Sequence, residues 1–162
     1  MAPLARTRGR ETPPIEQTSA PPPREPSRPT GRQHRMSTVT LTNDNFEKTV
    51  TDSPIVLVDF WATWCGPCRQ FGPIFEEASV KNPDIVFGKI DTDAEQDLAM
   101  AAQISSIPTL MAFRDGIAIF RQSGALPGPA LDDLIGQIRD LDMDKVRADI
   151  AAEDAKEQGQ KA

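Results

Sequence analysis

Cys65 and Cys68 are the only cysteines in the 162-residue chain, and they stand three positions apart in Trp64-Cys65-Gly66-Pro67-Cys68. Residues at i and i+3 across a helix's first turn share a face, so two cysteines there can close a disulfide. So short a loop restrains the unfolded chain little, and the purpose of the pair is therefore chemical rather than structural. The first sulfur meets the positive end of the helix dipole and its unpaired N–H groups. These favour a thiolate and lower its pKa below the ~8.5 of a free cysteine. Cys65, at the exposed turn, is the expected attacking thiol, and Cys68, one turn into the helix, the resolving thiol that releases product by exchange. Two other readings compete. Half of a zinc site needs further ligands, and the only histidine, His34, lies in a Pro-rich segment far from the pair. An inert pair of thiols leaves the tight turn specified by Gly66-Pro67 without a reason.

Asp59 is the second chemically pointed residue, since it alone interrupts the apolar run Ile55–Trp61. A charged carboxylate inside such a strand costs several kcal/mol, so it stays protonated or finds a partner. Either Asp59 is a strand-end residue facing solvent, or it is a buried acid with a raised pKa that takes the proton from Cys68. Lys89, on the neighbouring strand, is placed to modulate it. Pro108, in Ile107-Pro108-Thr109, is either an edge breaker or the site of a cis bond in a tight turn.

The elements that must position these residues follow from periodicity. Thr38–Leu41 is β-prone, and Asn43 or Asp44 can cap a short helix ending near Val50. Ile55–Trp61 reads as a fully buried central strand. A helix over about Cys65–Lys81 contains Pro73, which should kink it. Ile85–Ile90 is a second buried strand, and Ala94–Ala102 a helix with Leu98 inward. Thr109–Phe113 and Ile117–Arg121 flank the hairpin signal Asp115-Gly116. A last helix starts near Pro127–Pro129 with Leu131, Leu134, Ile135, Ile138 and Leu141 on one face. The order β-α-β-α-β-α-β-β-α defines an α/β fold with a central mixed β-sheet flanked by helices on both faces. Three segments result: a disordered Pro/Arg-rich arm over 1–35, a domain over 36–141, and an appended helix and tail over 142–162, where Met143, Val146 and Ile150 could dock.

Charge is split along the chain. Residues 1–35 carry seven Arg against three Glu, a net charge of +4, whereas the remaining residues carry −10. An acidic domain argues against a nucleic-acid or anionic-membrane surface and favours solubility. No apolar stretch is long enough to span a bilayer, and no secretory signal is evident, so a cytoplasmic location is expected. The arm has eight prolines, which disfavour an amphipathic targeting helix. It is either a basic arm or the product of a start upstream of Met36.

The stretch Val58-Asp59-Phe60-Trp61-Ala62-Thr63-Trp64-Cys65-Gly66-Pro67-Cys68-Arg69 resembles the active-site signature of the thioredoxin family. Ile107-Pro108-Thr109 is similar to the family's cis-proline segment, and Ser123-Gly124-Ala125-Leu126 to its late glycine turn. Pro73 stands where the family carries its helix-kinking proline. The resemblance covers roughly residues 37–141. It implies a thioredoxin fold and a general protein-disulfide reductase: Cys65 as nucleophile, Cys68 as resolver, Asp59 as the buried acid with Lys89 beside it, and Trp61 packing against the site. It further implies that Trp64, Gly66, Pro67, Ile107, Pro108, Gly124 and Ala125 line the groove for substrate peptide, which adds to the segment before Pro108 by β-augmentation. A flavin- and NADPH-dependent thioredoxin reductase would regenerate the dithiol of a monomer that carries no cofactor of its own. Gly-Pro between the cysteines is the pair of the family's reducing members. The alternative is a non-enzymatic module whose groove only docks partners, against which the retained cysteines argue.

Overall fold

The computed structural model describes residues 37–160, so the expectations for the Pro/Arg-rich arm lie outside the described residues. The elements are β1 (Thr38–Thr40), α1 (Phe46–Asp52), β2 (Ile55–Trp61), α2 (Gly66–Lys81), β3 (Val86–Asp91), α3 (Gln96–Ala101), β4 (Thr109–Arg114), β5 (Ile117–Ser123), α4 (Gly128–Asp140) and α5 (Met143–Gln160). This is the expected order with one helix appended. The strands form one mixed sheet in the order β1-β3-β2-β4-β5. β3 runs parallel to both β1 and β2, while β4 is antiparallel to β2 and to β5.

Strand β2 is paired on both edges and covered on both faces, which explains its nearly unbroken apolar sequence. Its side chains alternate between two cores. Leu57 joins Phe71 and Phe75 of α2 and Leu131 and Ile135 of α4. Val56, Val58 and Phe60 join Leu41, Val50 and Ile90 on the opposite face. Phe75 meets Phe87 of β3 edge-on, with centroids 5.1 Å apart, so α2 is clamped to the strand beside β2. Fully burying each such ring contributes roughly 1.5–3 kcal/mol. α2 continues through Pro73, whose missing N–H removes the helical bond to the Arg69 carbonyl. The β4–β5 turn places both Asp115 (φ 52°) and Gly116 (φ 80°) at positive φ, the geometry that an Asp-Gly pair favours in a tight hairpin.

Helix ends differ from the expectation in three places. α1 starts at Phe46 rather than after Asn43 or Asp44, because Asn45 is tied backward: its Oδ1 accepts from Thr42 N at 2.8 Å and its Nδ2 donates to Thr40 O at 3.2 Å. α3 begins two residues later than the pattern suggests. Asp91 Oδ1 accepts from Asp93 N at 2.9 Å, holding the chain in a local turn that competes with helix. α4 stops at Asp140, so Leu141 lies beyond it. There the Arg114 guanidinium donates to the carbonyls of Ile138 (2.6 Å), Arg139 (3.1 Å) and Leu141 (2.7 Å), satisfying acceptors that the helix end leaves open. In α5 Met143 is buried and Val146 half-buried, but Ile150 is 39% exposed and does not dock. Past its first turns α5 has no apolar stripe, and Arg147 ties it to Asp115 at 2.9 Å.

Gly88 sets the approach of the chain after β1 to the sheet. A Cβ there would overlap Cδ1 and Cγ of the fully buried Leu41. Gly88→Ala is expected to destabilise the fold by about 1–3 kcal/mol, read from the midpoint of urea denaturation. An unchanged midpoint would mean that Leu41 repacks without cost.

Candidate active site

β2 ends at Trp61, whose carbonyl accepts from Thr92 N (2.9 Å) and Thr92 Oγ1 (3.2 Å), fixing the strand end to the segment after β3. The chain then turns through Ala62-Thr63-Trp64, closed by Cys65 N donating to Ala62 O at 3.3 Å. Arg69 reaches back to donate to the Thr63 carbonyl at 3.2 Å. Cys65 is the N-cap of α2, with extended backbone (φ −81°, ψ 112°). Pro67 occupies the first helical turn, where a missing N–H costs nothing.

In this position Cys65 Sγ does what a serine or aspartate oxygen does at other helix starts. It accepts the Cys68 backbone N–H at 3.2 Å. Cys65 and Cys68 form a disulfide across Cα atoms 5.2 Å apart. Exposure does not separate the two sulfurs as expected. Cys65 is 4% and Cys68 5% exposed, because both pack with Ala62, Trp61 and Ile107. Their surroundings separate them instead. Cys65 Sγ lies 3.6 Å from the Ile107 carbonyl oxygen, on the side of the β4 approach. Cys68 lines a pocket of about 260 Å³ with Trp61, Glu76 and Lys89.

The Ile107–Pro108 peptide is cis, which removes the edge-breaker reading of Pro108. Pro108 is buried, and its carbonyl accepts from Gly124 N at 2.8 Å, joining the two backbone turns expected beside the pair. Gly124 sits at φ 98°, a conformation open to glycine at no steric cost. Ala125 beside it is exposed, as are Gly66 and Pro67. Trp64 is 67% exposed, yet its indole Nε1 donates to Asp93 Oδ2 at 2.9 Å. Pinned in this way, the ring borders a cleft of about 310 Å³ with Ile107, Ile104 and Ala99.

Asp59 is 1% exposed, so the solvent-facing reading does not hold. Neither carboxyl oxygen has a hydrogen-bond partner among the described residues. Burial in this apolar layer pushes its pKa up to about 7, against the opposing pull of Lys89, which sits directly across from it in the parallel β2–β3 register. The Lys89 ammonium is directed elsewhere. It stands 5.1 Å from the centroid of the Trp61 ring and 3.4 Å from Glu76 Oε1. The sequence reading missed Glu76 and Asp93. The signal for Glu76 was the spacing Cys68-Gly72-Glu76, which repeats every four residues along one face of α2. Asp93 carried no comparable signal, because its role depends on where Trp64 turns.

A disulfide between cysteines three positions apart at a helix start, with a cis-proline segment packed against it, is the arrangement of protein-disulfide oxidoreductases. The thioredoxin family model matches residues 37–140. The chain is 60% identical over 119 residues to a putative thioredoxin 2 of Streptomyces coelicolor, covering 74% of this chain and 89% of that one. It is 44% identical over 99 residues to a thioredoxin of Mycolicibacterium smegmatis, covering 59% of this chain and 88% of the relative. Among solved structures, a thioredoxin from Halobacterium salinarum superposes with a TM-score of 0.61 at 33% identity, over 65% of this chain and 94% of that one. The chain belongs to the thioredoxin family, and its activity is thiol–disulfide exchange with protein substrates.

The raised Asp59 pKa makes stability depend on pH with a definite sign. The folded state holds a proton up to about pH 7, whereas the unfolded chain releases it near 3.8. Between these values the native state binds more protons, so its stability is greatest below the lower value and falls as pH rises through the upper. The loss attributable to Asp59 is on the order of 4 kcal/mol. Asp59→Asn should therefore gain stability relative to the parent between pH 4 and pH 7, measured by denaturant unfolding across that range. Parallel stability curves would show that the carboxyl is not held protonated by burial.

Proposed function

We propose that the chain is a general reductant of protein disulfides, with Cys65 as nucleophile and Cys68 as resolver. The observation that carries this reading is the Cys68 N–H directed at Cys65 Sγ from 3.2 Å. In the reduced protein that donor and the helix N-terminus stabilise a thiolate on Cys65 rather than on its neighbour. The Cys65 thiolate attacks one sulfur of a substrate disulfide, forming a mixed disulfide and releasing the other sulfur as a thiolate. Cys68 then loses its proton to the Asp59 carboxylate and attacks Cys65 Sγ. The second substrate thiolate leaves, and the Cys65–Cys68 disulfide forms. Two electrons pass from the chain to the substrate, and the chain must be re-reduced before another turnover.

The substrate peptide lies along the backbone of Ile107 as an added strand, with Trp64, Gly66, Pro67, Pro108, Gly124 and Ala125 bordering it. Trp64 supports this reading by standing open to solvent while its indole is anchored on Asp93. Thioredoxin reductase returns electrons to the pair, so the chain serves electron transport as a cytoplasmic monomer, and residues 36–141 are the catalytic domain. No helix among the described residues is long and apolar enough to cross a membrane.

Trapping tests the division of labour. Cys68→Ser should accumulate mixed disulfides through Cys65 with proteins from cell extract, and Cys65→Ser should trap none and fail to reduce insulin. The opposite pattern would reverse the two roles.

A further inference from the structure

The ion pair between Lys89 and Glu76 belongs to neither sulfur, yet both residues line the pocket that Cys68 lines. Lys89 projects from β3 on the face that carries Asp59. Strand spacing of about 4.8 Å would allow its ammonium to meet that carboxyl. Both Asp59 oxygens nevertheless lack a hydrogen-bond partner among the described residues, and Nζ instead lies over the Trp61 ring with Glu76 Oε1 at 3.4 Å. Gly72 lies beside this route: a Cβ at that position would stand 3.9 Å from Lys89 Nζ, in ordinary van der Waals contact. With side chains only 22% and 28% exposed, Lys89 and Glu76 are shielded enough for their attraction to outweigh that of a fully solvated pair.

We propose that Glu76 is a positioning residue for the exchange reaction: it holds the Lys89 ammonium over Trp61 and away from Asp59, leaving that carboxyl free to exchange a proton with Cys68. The inference rests on the proposed proton transfer between Cys68 and Asp59, and it adds a residue that touches neither group.

The charges around this centre are few. Asp59 on β2 faces Lys89 across one edge and Leu110 of β4 across the other. From α2 come Cys68, Arg69 and Glu76, which line the same pocket as Lys89. Arg69 is tethered outward to the Thr63 carbonyl. On β1 the residue paired with Lys89 is Thr40, and two positions along β3 Asp91 binds Asp93 N. Glu76 is thus the anion in contact with the ammonium. Replacing it with a neutral group turns the unbalanced Lys89 charge toward Asp59, which favours the ionised carboxylate.

The test is the titration of Asp59 followed by carboxyl carbon NMR in the oxidised, full-length protein, a readout independent of turnover. Glu76→Gln should lower the Asp59 midpoint by roughly one pH unit and move the pH profile of mixed-disulfide resolution in the same direction. In a Lys89→Met background the same substitution should leave the midpoint unchanged, since Glu76 acts through the lysine. A midpoint unmoved or raised by Glu76→Gln overturns the proposal. So does an equal downward shift with Lys89 absent, which would make Glu76 a direct electrostatic neighbour. Failure of Cys68→Ser to trap substrates would instead strike the proposed function and leave this titration result standing.

Discussion

The hydrogen bond from Cys68 N to Cys65 Sγ couples the fold to its chemistry. A helix start leaves several N–H groups without partners, and most proteins satisfy one of them with a side-chain oxygen. Here the Cys65 sulfur takes that place, so in the proposed reduced form the same contact that caps α2 would also stabilise a thiolate there. The geometry requires the chain to leave β2, turn within a few residues and enter the helix with Pro67 already at helical φ. Much of the remaining architecture holds that turn. Thr92 anchors the end of β2, the Phe75–Phe87 contact seats α2 on the sheet, and the Ile107 carbonyl closes the far side of Cys65.

The central strand keeps a feature that stability alone would remove. Asp59 stands there with no hydrogen bond to either oxygen among the described residues, where a leucine or valine would pack at lower cost. Such a carboxyl exchanges its proton near neutrality and sits on the side of the sheet that α2 covers. A group of this kind is costly when charged and useful when it must accept a proton, consistent with acid–base work rather than packing. Lys89 and Glu76 are arranged so that the nearest positive charge is already engaged outside the apolar layer.

Much of this was legible in the sequence because the relevant signals are local. Nearly unbroken apolar runs marked β2 and β3, Asp115-Gly116 marked the hairpin of β4 and β5, and two cysteines flanking Gly-Pro marked the centre. Asp59 stood out as the single charge in an apolar strand. What escaped depends on where side chains turn after folding. Asn45 bonds backward and shifts the start of α1, and Asp91 holds a turn that shortens α3. The equal enclosure of the two cysteines draws on Ile107, 42 residues from Cys65 in sequence. Glu76 reads as one more acid on the outer face of α2 until Lys89 of β3 meets it.

The proposed chemistry depends on which sulfur ionises first. Its most direct measurement is the rate of iodoacetamide alkylation of the reduced protein as a function of pH, with the modified residue located by mass mapping. Cys65 should react first, with a midpoint well below the ~8.5 of an ordinary thiol, while Cys68 stays unmodified over the same interval. Equal labelling of both cysteines, or a Cys65 midpoint at or above that value, would contradict it.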